Sequence, residues 1–414
     1  MEVKSGYQET EVGVIPSDWA VRSLASLADK IMVGIASAAT HAYRAKGIPL
    51  FRNQNIRSGR LDDSDLLYVS PEYEVVFKNK RLRGGDLLTA RTGYPGTTCE
   101  VPPEYESAQS FTTLITRPRK SEVDSSFLCH YINSEQGQRF FEQGQIGGAQ
   151  KNVNAGTLRQ MPIPIPSRPE QHAIAAALSD ADALLAGLDR LIAKKRDLKQ
   201  AAMQQLLTGQ TRLPGFQGEW DTRLMPDLAD IRSGGTPSTN DPAAWDGDIA
   251  WCTPTDITAL AGRKYLTNTA RQITAHGLKQ SSAEVIPARS VVMTSRATIG
   301  ECAINTIPMT TNQGFKNFVP FESVDAEFLY YLLTTQKAGF ISLCGGSTFL
   351  EIGKAQLRSY GVRVPADKAE QTAIAAVLLD MDAELSALED RLEKTRALKQ
   401  AMMQELLTGK TRLV

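Results

Sequence analysis

The chain has 414 residues and a formal net charge of zero, with 46 basic residues against 46 acidic ones. This balance excludes a protein that coats nucleic acid through bulk charge, but not a reader of specific sites whose basic groups share one surface. No apolar run approaches the roughly 20 residues that cross a bilayer, and the first residues form no apolar leader. Five scattered cysteines without a CxxC pair predict free thiols, so we expect a cytoplasmic chain without a membrane segment.

The predicted elements follow an internal repeat that divides the chain into two similar halves. We predict an N-terminal tail over residues 1–15, a first domain over 16–165 and a first long helix over 166–213. A second domain over 214–365 and a second long helix over 366–414 complete the chain. The predicted fold class is α+β, with two similar mixed α/β domains that are each followed by a long helix and related by a pseudo-twofold repeat.

The two helices carry the strongest part of the repeat. Glu170–Leu213 aligns with Glu370–Leu413 at an offset of 200 without a gap, and 27 of 44 positions are identical. In both segments apolar residues recur at alternating steps of four and three, which is typical of a helix that packs along a seam against another helix. The seam residues are Ile174, Leu178, Ala181, Leu185, Leu188 and Ile192 in the first helix and Ile374, Leu378, Met381, Leu385, Leu388 and Leu392 in the second.

Two near-identical long helices in one chain most simply pair with each other, and we predict an antiparallel coiled coil. Lys195 and Lys199 interrupt the first seam, and Thr395 and Lys399 interrupt the second. These polar positions would either loosen the pair or fix its register. A plain helical hairpin or a dimerisation element is the alternative interpretation of the same pattern.

The repeat continues weakly through the two domains. Trp19 aligns with Trp220, residues 48–56 align with 249–257, and Arg91 aligns with Arg296. Most other positions differ. A common skeleton with different side chains predicts two surfaces adapted to two different ligands of one kind.

Polar side chains at predicted strand ends and in glycine-rich loops are the candidate binding residues. Arg, Asn, Gln and Thr side chains can hydrogen-bond the edges of bases, while Lys and backbone N–H groups hold phosphates. The candidates of the first domain are Arg52, Asn53, Gln54, Arg91, Thr92, Lys151 and Asn152. Those of the second domain are Ser233, Thr236, Thr253, Thr255, Arg296, Asn312, Gln313 and Lys316.

These candidates have structural alternatives that the sequence leaves open. Arg91 and Arg296 could each orient a loop through an internal salt bridge. Residues 52–54, together with Thr253 and Thr255, could be turn residues whose side chains satisfy backbone groups.

The sequence shows no motif of a catalytic or metal site. Its four histidines include no HExxH or other metal-ligand spacing. The segment LLTGKT (406–411) lacks the first glycine of a phosphate-binding loop and closes a helix instead of opening one. The segment VPPEY (101–105) has valine where the Asn/Asp-Pro-Pro-aromatic motif of amino-methyltransferases needs a polar residue. We therefore predict a chain that binds without catalysing a reaction.

The helix text E-Q-x-A-I-A-A and L-L-T-G-x-T-R-L, with GVIPSDW, WDGDIAW and NQGFKNF, resembles the specificity subunit of Type I restriction–modification systems. The resemblance covers essentially the whole chain. It implies that each domain is a target recognition domain that reads one half of a split, asymmetric site in double-stranded DNA. The paired helices would then fix the unread gap between the half-sites.

The same resemblance implies partners that supply the chemistry. Two methyltransferase subunits would dock on this chain and methylate adenine with S-adenosylmethionine, and restriction subunits would add translocation and cleavage with ATP and Mg. This chain itself would hold no cofactor. The alternatives are a coiled-coil scaffold without sequence-specific DNA binding and a fused methyltransferase with an unrecognised site.

Overall fold

A computed structural model describes residues 5–143, 152–344 and 350–413, so the candidate Lys151 lies outside the described residues. The chain divides into two compact units. Unit 1 comprises residues 1–189 and 390–414, and unit 2 comprises residues 190–389. Each long helix therefore contributes one half to unit 1 and the other half to unit 2.

Unit 1 begins with a β-hairpin at the place where residues 1–15 were expected to form a tail. Strand β1 (Tyr7–Thr10) pairs antiparallel with β2 (Gly13–Pro16). The hydroxyl of Tyr7 donates a hydrogen bond to the carbonyl oxygen of Gly409 at 3.1 Å. The hairpin is therefore attached to the C-terminal segment that belongs to the same unit.

The other strands of unit 1 form two main sheets. The strands are β3 (Ala20–Ser23), β4 (Ala28–Val33), β5 (Tyr43–Arg44), β6 (Ile48–Arg52), β7 (Ile56–Arg57), β8 (Arg60–Leu61), β9 (Leu67–Val69), β10 (Leu87–Thr89), β11 (Thr98–Glu100), β12 (Gln109–Phe111), β13 (Leu114–Pro118) and β14 (Pro162–Ile165). One sheet has the antiparallel order β11-β10-β13-β4, and the other has the order β12-β6-β9-β5 with β12 parallel to β6. Two strand pairs, β3-β14 and β7-β8, lie beside them.

The helices of unit 1 cover these sheets and lead into the first long helix. They are α1 (Leu24–Leu27), α2 (Pro71–Val76), α3 (Ser125–Asn133), α4 (Glu135–Gln143), α5 (Ala155–Gln160) and α6 (Arg168–Leu206). The carboxylate of Asp124 accepts a hydrogen bond from the backbone N–H of Phe127 at 2.9 Å and so caps α3. Asn154 caps α5 in the same way through Thr157.

Unit 2 repeats this arrangement. Its strands are β15 (Asp221–Leu224), β16 (Ala229–Ser233), β17 (Trp245–Cys252), β18 (Tyr265–Leu266), β19 (Arg271–Ile273), β20 (Val291–Thr294), β21 (Cys302–Asn305), β22 (Thr310–Thr311), β23 (Phe315–Pro320) and β24 (Gly361–Val364). Its helices are α7 (Met225–Leu228), α8 (Pro254–Ala259), α9 (Ala275–Lys279), α10 (Ala326–Thr335), α11 (Lys337–Ser342), α12 (Lys354–Arg358) and α13 (Lys368–Leu406).

The main sheets of the two units share all strands except two edge strands, β5 in unit 1 and β18 in unit 2. Order β16-β23-β20-β21 in unit 2 matches β4-β13-β10-β11 in unit 1, and order β19-β17-β22 matches β9-β6-β12. The parallel pair β17-β22 also matches the parallel pair β6-β12. The predicted fold class is thereby confirmed: two similar mixed α/β domains share one skeleton.

Each unit closes its hydrophobic core with the ends of both long helices. In unit 1, Leu178 near the start of α6 and Leu406 at the end of α13 lie in one buried cluster with Trp19. In unit 2, Leu378 and Leu206 take the same places around Trp220. Because a buried leucine contributes about 2 kcal/mol, the helix ends are part of the domain cores as well as a connection between domains.

Within each unit the halves of α6 and α13 run antiparallel. In unit 1, Asp182 pairs with Lys399 at 2.5 Å and Asp189 with Arg396 at 3.4 Å. In unit 2, Lys199 pairs with Asp382 at 2.5 Å and Lys195 with Glu384 at 2.6 Å. Since early residues of one helix meet late residues of the other, the predicted antiparallel coiled coil is confirmed.

The polar interruptions of the seam mostly form ion pairs across it. Three of the four predicted positions, the lysines at 195, 199 and 399, form ion pairs with the opposite helix. The fourth, Thr395, is buried and its hydroxyl donates to the carbonyl oxygen of Arg391 in its own helix at 2.8 Å. Partly exposed ion pairs contribute little free energy, so the apolar seam supplies most of the stability of the helix pair.

Candidate nucleic-acid interface

The candidate residues of unit 2 lie next to a glycine pair that lets two loops approach closely. A Cβ atom on Gly234 would lie 1.9 Å from the carbonyl oxygen of Asn312, and one on Gly235 would lie 2.3 Å from the backbone nitrogen of Ala283. Gly34 occupies the equivalent place in unit 1, where a Cβ atom would lie 2.4 Å from the carbonyl oxygen of Ser110. Only glycine permits these approaches, so the loop after β16 is held against the loop after β22.

Substitution of Gly234 by alanine is expected to lower the free energy of unfolding by about 2 kcal/mol, because the added methyl group overlaps backbone atoms that cannot rotate away. Urea unfolding of the full-length chain measures this loss. Gly187→Ala is the matched control: a Cβ atom there meets nothing within 4 Å, and alanine favours the helix. If both substitutions left the urea midpoint unchanged or raised it, the close approach at Gly234 would be wrong.

In unit 1, Arg52 and Gln54 are both held by one carboxylate. The Arg52 guanidinium lies 2.8 Å from Oδ2 of Asp65, and the Gln54 side-chain amide donates to the same oxygen at 2.7 Å. Asp65 is 70% exposed, so the cluster lies at the surface. The structure thus shows internal contacts for these two candidates, and Arg52 also donates to the backbone carbonyl oxygen of Asp65 at 2.8 Å, as its turn-residue alternative supposes.

The other candidates of unit 1 come together around Arg91. The backbone N–H of Arg91 donates to Oδ1 of Asn53 at 2.8 Å, and Nε of Arg91 donates to the carbonyl oxygen of Val153 at 3.3 Å. Asn152 is exposed beside Val153, and Thr92 is half-buried beside Arg91. Among the described residues no carboxylate lies within 4.0 Å of the Arg91 guanidinium, so the salt-bridge alternative does not apply to it there.

In unit 2, Thr253 is a turn residue. Its backbone N–H and its hydroxyl both donate to Oδ2 of Asp256 at 2.7 Å, and this contact caps α8. The equivalent turn of unit 1 is closed by Asn55, whose Oδ1 accepts from the backbone N–H of Arg52 at 2.9 Å. Thr255 is exposed on the first turn of α8. Of this pair, Thr255 is exposed, whereas Thr253 is half-buried and its hydroxyl is engaged with Asp256.

Arg296 forms the internal salt bridge that was its structural alternative. Its Nε lies 3.0 Å from Oε1 of Glu351, and the two backbones also form an antiparallel bridge. Both side chains are nearly half exposed, so solvent weakens the attraction. The contact orients the loop and leaves part of the guanidinium at the surface.

The alignment of Arg91 with Arg296 is wrong by one residue. The carbonyl oxygen of Arg91 accepts from the backbone N–H of Val153 at 3.1 Å, and that of Ser295 accepts from Ile352 at 3.0 Å. Arg91 therefore takes the backbone place of Ser295, not that of Arg296. The two arginines were aligned because they are the same residue type, whereas the backbone hydrogen bonds of the two loops show which residues are structurally equivalent.

Lys316 and Ser233 lie in strands, which contradicts their prediction as loop contacts. They face each other in the register of β23 and β16, and Lys316 is only 6% exposed. Its Nζ lies 3.3 Å from the carbonyl oxygen of Phe315 and 3.5 Å from Oγ of Ser295. Burial lowers the pKa of the Lys316 ammonium. Both residues belong to paired strands, and the loop begins only at the glycine pair that follows Ser233.

Two of the predicted contact residues of unit 2, Thr236 and Gln313, lie in contact with each other. The hydroxyl of Thr236 donates to Oε1 of Gln313, which is exposed. Asn312 is half-buried, and its Oδ1 accepts from the backbone N–H of Gly314 at 2.9 Å. These side chains form a polar surface whose donors and acceptors suit the edges of bases.

An exposed aromatic residue of unit 1 escaped the sequence reasoning. Tyr94 is 73% exposed at the tip of the loop between β10 and β11, and Gly93 and Gly96 beside it have φ values of +79° and +91°. A tyrosine between two glycines in GYPG was the available signal, because an apolar ring at a loop tip has no core to fill. Tyr94 adjoins the Arg91 cluster.

Two further observations concern the residues that the structure describes. In the part of the chain that the structure describes, no group of three or more His, Cys, Asp or Glu side chains could hold a metal ion. In the same residues no helix is long and apolar enough to cross a membrane.

Comparisons with known proteins agree with this geometry. The family model described as the type I restriction modification DNA specificity domain matches twice, at residues 16–194 and 217–395. The type I restriction enzyme MjaIX specificity subunit of Methanocaldococcus jannaschii is 38% identical over 166 residues, which is 40% of this chain and 38% of that relative. The EcoR124I/EcoR124II specificity subunit of Escherichia coli is 26% identical over 309 residues, which is 72% of this chain and 73% of that relative.

A solved structure gives the same result for the fold. A chain from a study of complex assembly and conformational transition of the type I R-M system has a TM-score of 0.61 and 18% identity. The match covers 96% of this chain and 99% of that chain. The two matches of the family model together span most of the sequence, and the chain belongs to the type I restriction modification DNA specificity domain family.

Proposed function

We propose that the chain is the non-catalytic specificity subunit of a Type I restriction–modification system and reads a bipartite, asymmetric site in double-stranded DNA. The observation that carries this function is the double match of a DNA specificity domain to two units with one skeleton and different surfaces. At equivalent positions unit 1 has Arg52 and Arg91 where unit 2 has Thr253 and Ser295. Two different surfaces on one framework suit two unlike half-sites.

Exposed leucines on the long helices support the proposed partner subunits. Each unit exposes leucines of these helices: Leu184 (44%) and Leu398 (60%) in unit 1, and Leu191 (39%) and Leu198 (46%) in unit 2. Repeated exposed leucines on a helix pair mark a surface that another protein covers. We assign it to two methyltransferase subunits, which hold the S-adenosylmethionine, while restriction subunits hold the ATP and Mg. The assembly acts in the cytoplasm, where its DNA lies.

Selection from a library of random DNA duplexes tests the function. The full-length chain is co-purified with its native methyltransferase partner, and bound duplexes are sequenced. We expect two short, unlike motifs separated by a gap of constant length. Replacing residues 16–165 by the corresponding domain of a relative should change one motif and leave the other motif and the gap unchanged.

The partner alone, selected in parallel, is the control for motifs that do not come from this chain. Recovery of random sequence by a folded, partner-bound chain would contradict DNA recognition. The coiled-coil scaffold would then be the better interpretation of the exposed helix leucines.

A further inference from the structure

In unit 2 an arginine lies flat on a pair of tryptophans. The guanidinium carbon of Arg271 is 3.8 Å from the ring centroid of Trp245 and 5.3 Å from that of Trp251. The two indoles contact each other edge to face, with centroids 4.9 Å apart. Arg271 is directly opposite Trp251 in the β17-β19 register, and Trp245, which precedes an irregularity in β17, is paired with Ile273.

The stack leaves the hydrogen-bonding groups of Arg271 free. The residue is exposed. In the described part of the chain its guanidinium donates no hydrogen bond, and no Asp or Glu carboxylate lies within 4.0 Å of it. Stacking uses the face of a guanidinium, so its N–H donors still point outward in the plane. Arg271 is therefore a cation that stacking holds in place and whose N–H donors are unused in the described part of the chain.

The tryptophans also anchor the polar loop that carries sequence candidates. The indole N–H of Trp251 donates to the carbonyl oxygen of Gly235 at 2.9 Å, and that of Trp245 donates to Ser238 at 3.0 Å. Thr236, whose hydroxyl contacts Gln313, lies between these two anchors. Arg271 therefore belongs to the same surface as the exposed Thr236–Gln313 pair, and it is rigidly placed there.

Unit 1 has no equivalent of this arginine–tryptophan stack at the matching positions. In its matching strands, β6 and β9, the residues opposite each other are Leu50 and Leu67, where unit 2 has Trp251 and Arg271. Leu50 is fully buried. An arginine needed only to support the shared skeleton would have a counterpart in unit 1, so the stack serves something particular to unit 2.

We propose that Arg271 is a DNA-contact residue of the half-site that unit 2 reads, and that its fork binds a pair of acceptors on the nucleic acid. This inference rests on the proposed function. Two acceptor pairs fit a planar fork: O6 and N7 of a guanine in the major groove, and two oxygens of one phosphate. A guanine contact specifies a base, whereas a phosphate contact adds affinity without sequence information.

The test compares wild type, Arg271→Ala and Arg271→Lys as full-length chains in complex with the native methyltransferase. Binding to the selected duplex, and to variants with each base pair changed in turn, is measured at several salt concentrations. Arg263→Ala is the matched control, because Arg263 is an exposed arginine of unit 2 whose side chain, among the described residues, hydrogen-bonds only the carbonyl oxygen of Leu260. We expect Arg271→Ala to weaken binding about tenfold or more and the control to leave it unchanged.

The pattern of the loss identifies the acceptor. For a guanine, both Arg271 variants lose discrimination at one G·C pair of one half-site, because a lysine cannot form the fork. For a phosphate, Arg271→Ala weakens binding equally for all sequences and lowers the salt slope by about one, and Arg271→Lys restores much of it. Unchanged affinity and specificity in a folded Arg271→Ala complex would overturn the inference. The proposed function would survive that result, since only failure of the wild type to select a site contradicts it.

Discussion

Arg412→Ala is expected to lower the free energy of unfolding by about 3 kcal/mol, the largest loss we expect from a single substitution in this chain. Arg412 forms a forked contact with Glu170 and also lies 2.9 Å from Asp18. Glu170 is fully buried, so removal of the arginine leaves a buried carboxylate with the indole N–H of Trp19, at 3.2 Å, as its remaining side-chain partner. An uncompensated buried charge is far more costly than a lost surface ion pair.

We expect the two members of the Arg412–Glu170 ion pair to differ in how much stability their substitution costs. Glu170→Gln leaves Arg412 one-third exposed and still beside Asp18, so we expect a loss of only about 1 kcal/mol. The double substitution should cost less than Arg412→Ala alone, because no unpaired buried charge remains. Urea unfolding of the three variants measures these differences. Equal losses for both single variants would contradict burial of the Glu170 charge.

Unit 2 has an equivalent of the Arg412–Glu170 ion pair, and we call each of these two ion pairs a latch. Arg212 contacts Glu370, which is 3% exposed, and Trp220 donates to the same carboxylate at 3.4 Å. Hydrogen exchange should therefore accelerate around Trp19 in Arg412→Ala and around Trp220 in Arg212→Ala. In each case the ion pair joins the segment that follows one long helix to the start of the other helix within one unit.

How much the sequence could predict depends on where each contact comes from. The seam of the long helices was readable, because Leu188, Ile192 and Leu392 are buried by a period that belongs to the helix itself. The latch was not readable, since Arg412 and Glu170 are separated by 242 residues and meet only in the folded unit. Residue type alone does not specify such partners.

The same distinction applies to the candidate interface: residues in polar loops could be recognised from the sequence, whereas contacts set by strand pairing could not. Thr236 and Gln313 were recognisable as polar residues in loops, and the fold places them in contact. Lys316 was misplaced because strand pairing, and not its polarity, decides its burial. Arg271 was missed because its partners are set by the register of β17 and β19. A twofold period in the sequence does not reveal which strand lies alongside.

Acidification is expected to destabilise unit 1 through His130. The imidazole is 6% exposed, its Nε2 lies 3.3 Å from Oγ of Ser179 and its Nδ1 lies 3.9 Å from Oδ2 of Asp182. Lys399 already pairs with Asp182 at 2.5 Å and adds a positive charge beside the ring. Burial, reinforced by Lys399, lowers the pKa of His130 to about 4, although Asp182 and Asp124 oppose the shift.

Acid destabilises the folded chain because His130 is protonated more readily in the unfolded chain. The unfolded chain takes up a proton on His130 near the usual pKa of about 6.5, whereas the folded chain resists protonation until about pH 4. Stability from this residue is complete above about pH 6.5 and is lost as the pH falls. The loss should reach about 2 kcal/mol at about pH 5.

His130→Gln separates this contribution from that of the carboxylates, because glutamine can still hydrogen-bond but does not titrate. Urea unfolding of wild type and variant is compared at about pH 7.5 and pH 5, and the wild type should lose about 2 kcal/mol more than the variant. Unit 2 has Tyr331 at the matching helix position, where its hydroxyl contacts Asp382 at 2.5 Å. Since burial and Asp382 raise the pKa of Tyr331, hydrogen exchange should show the acid response in unit 1 alone. Parallel pH profiles for wild type and His130→Gln would show that the ring is protonated in the folded chain, and burial would then not control its charge.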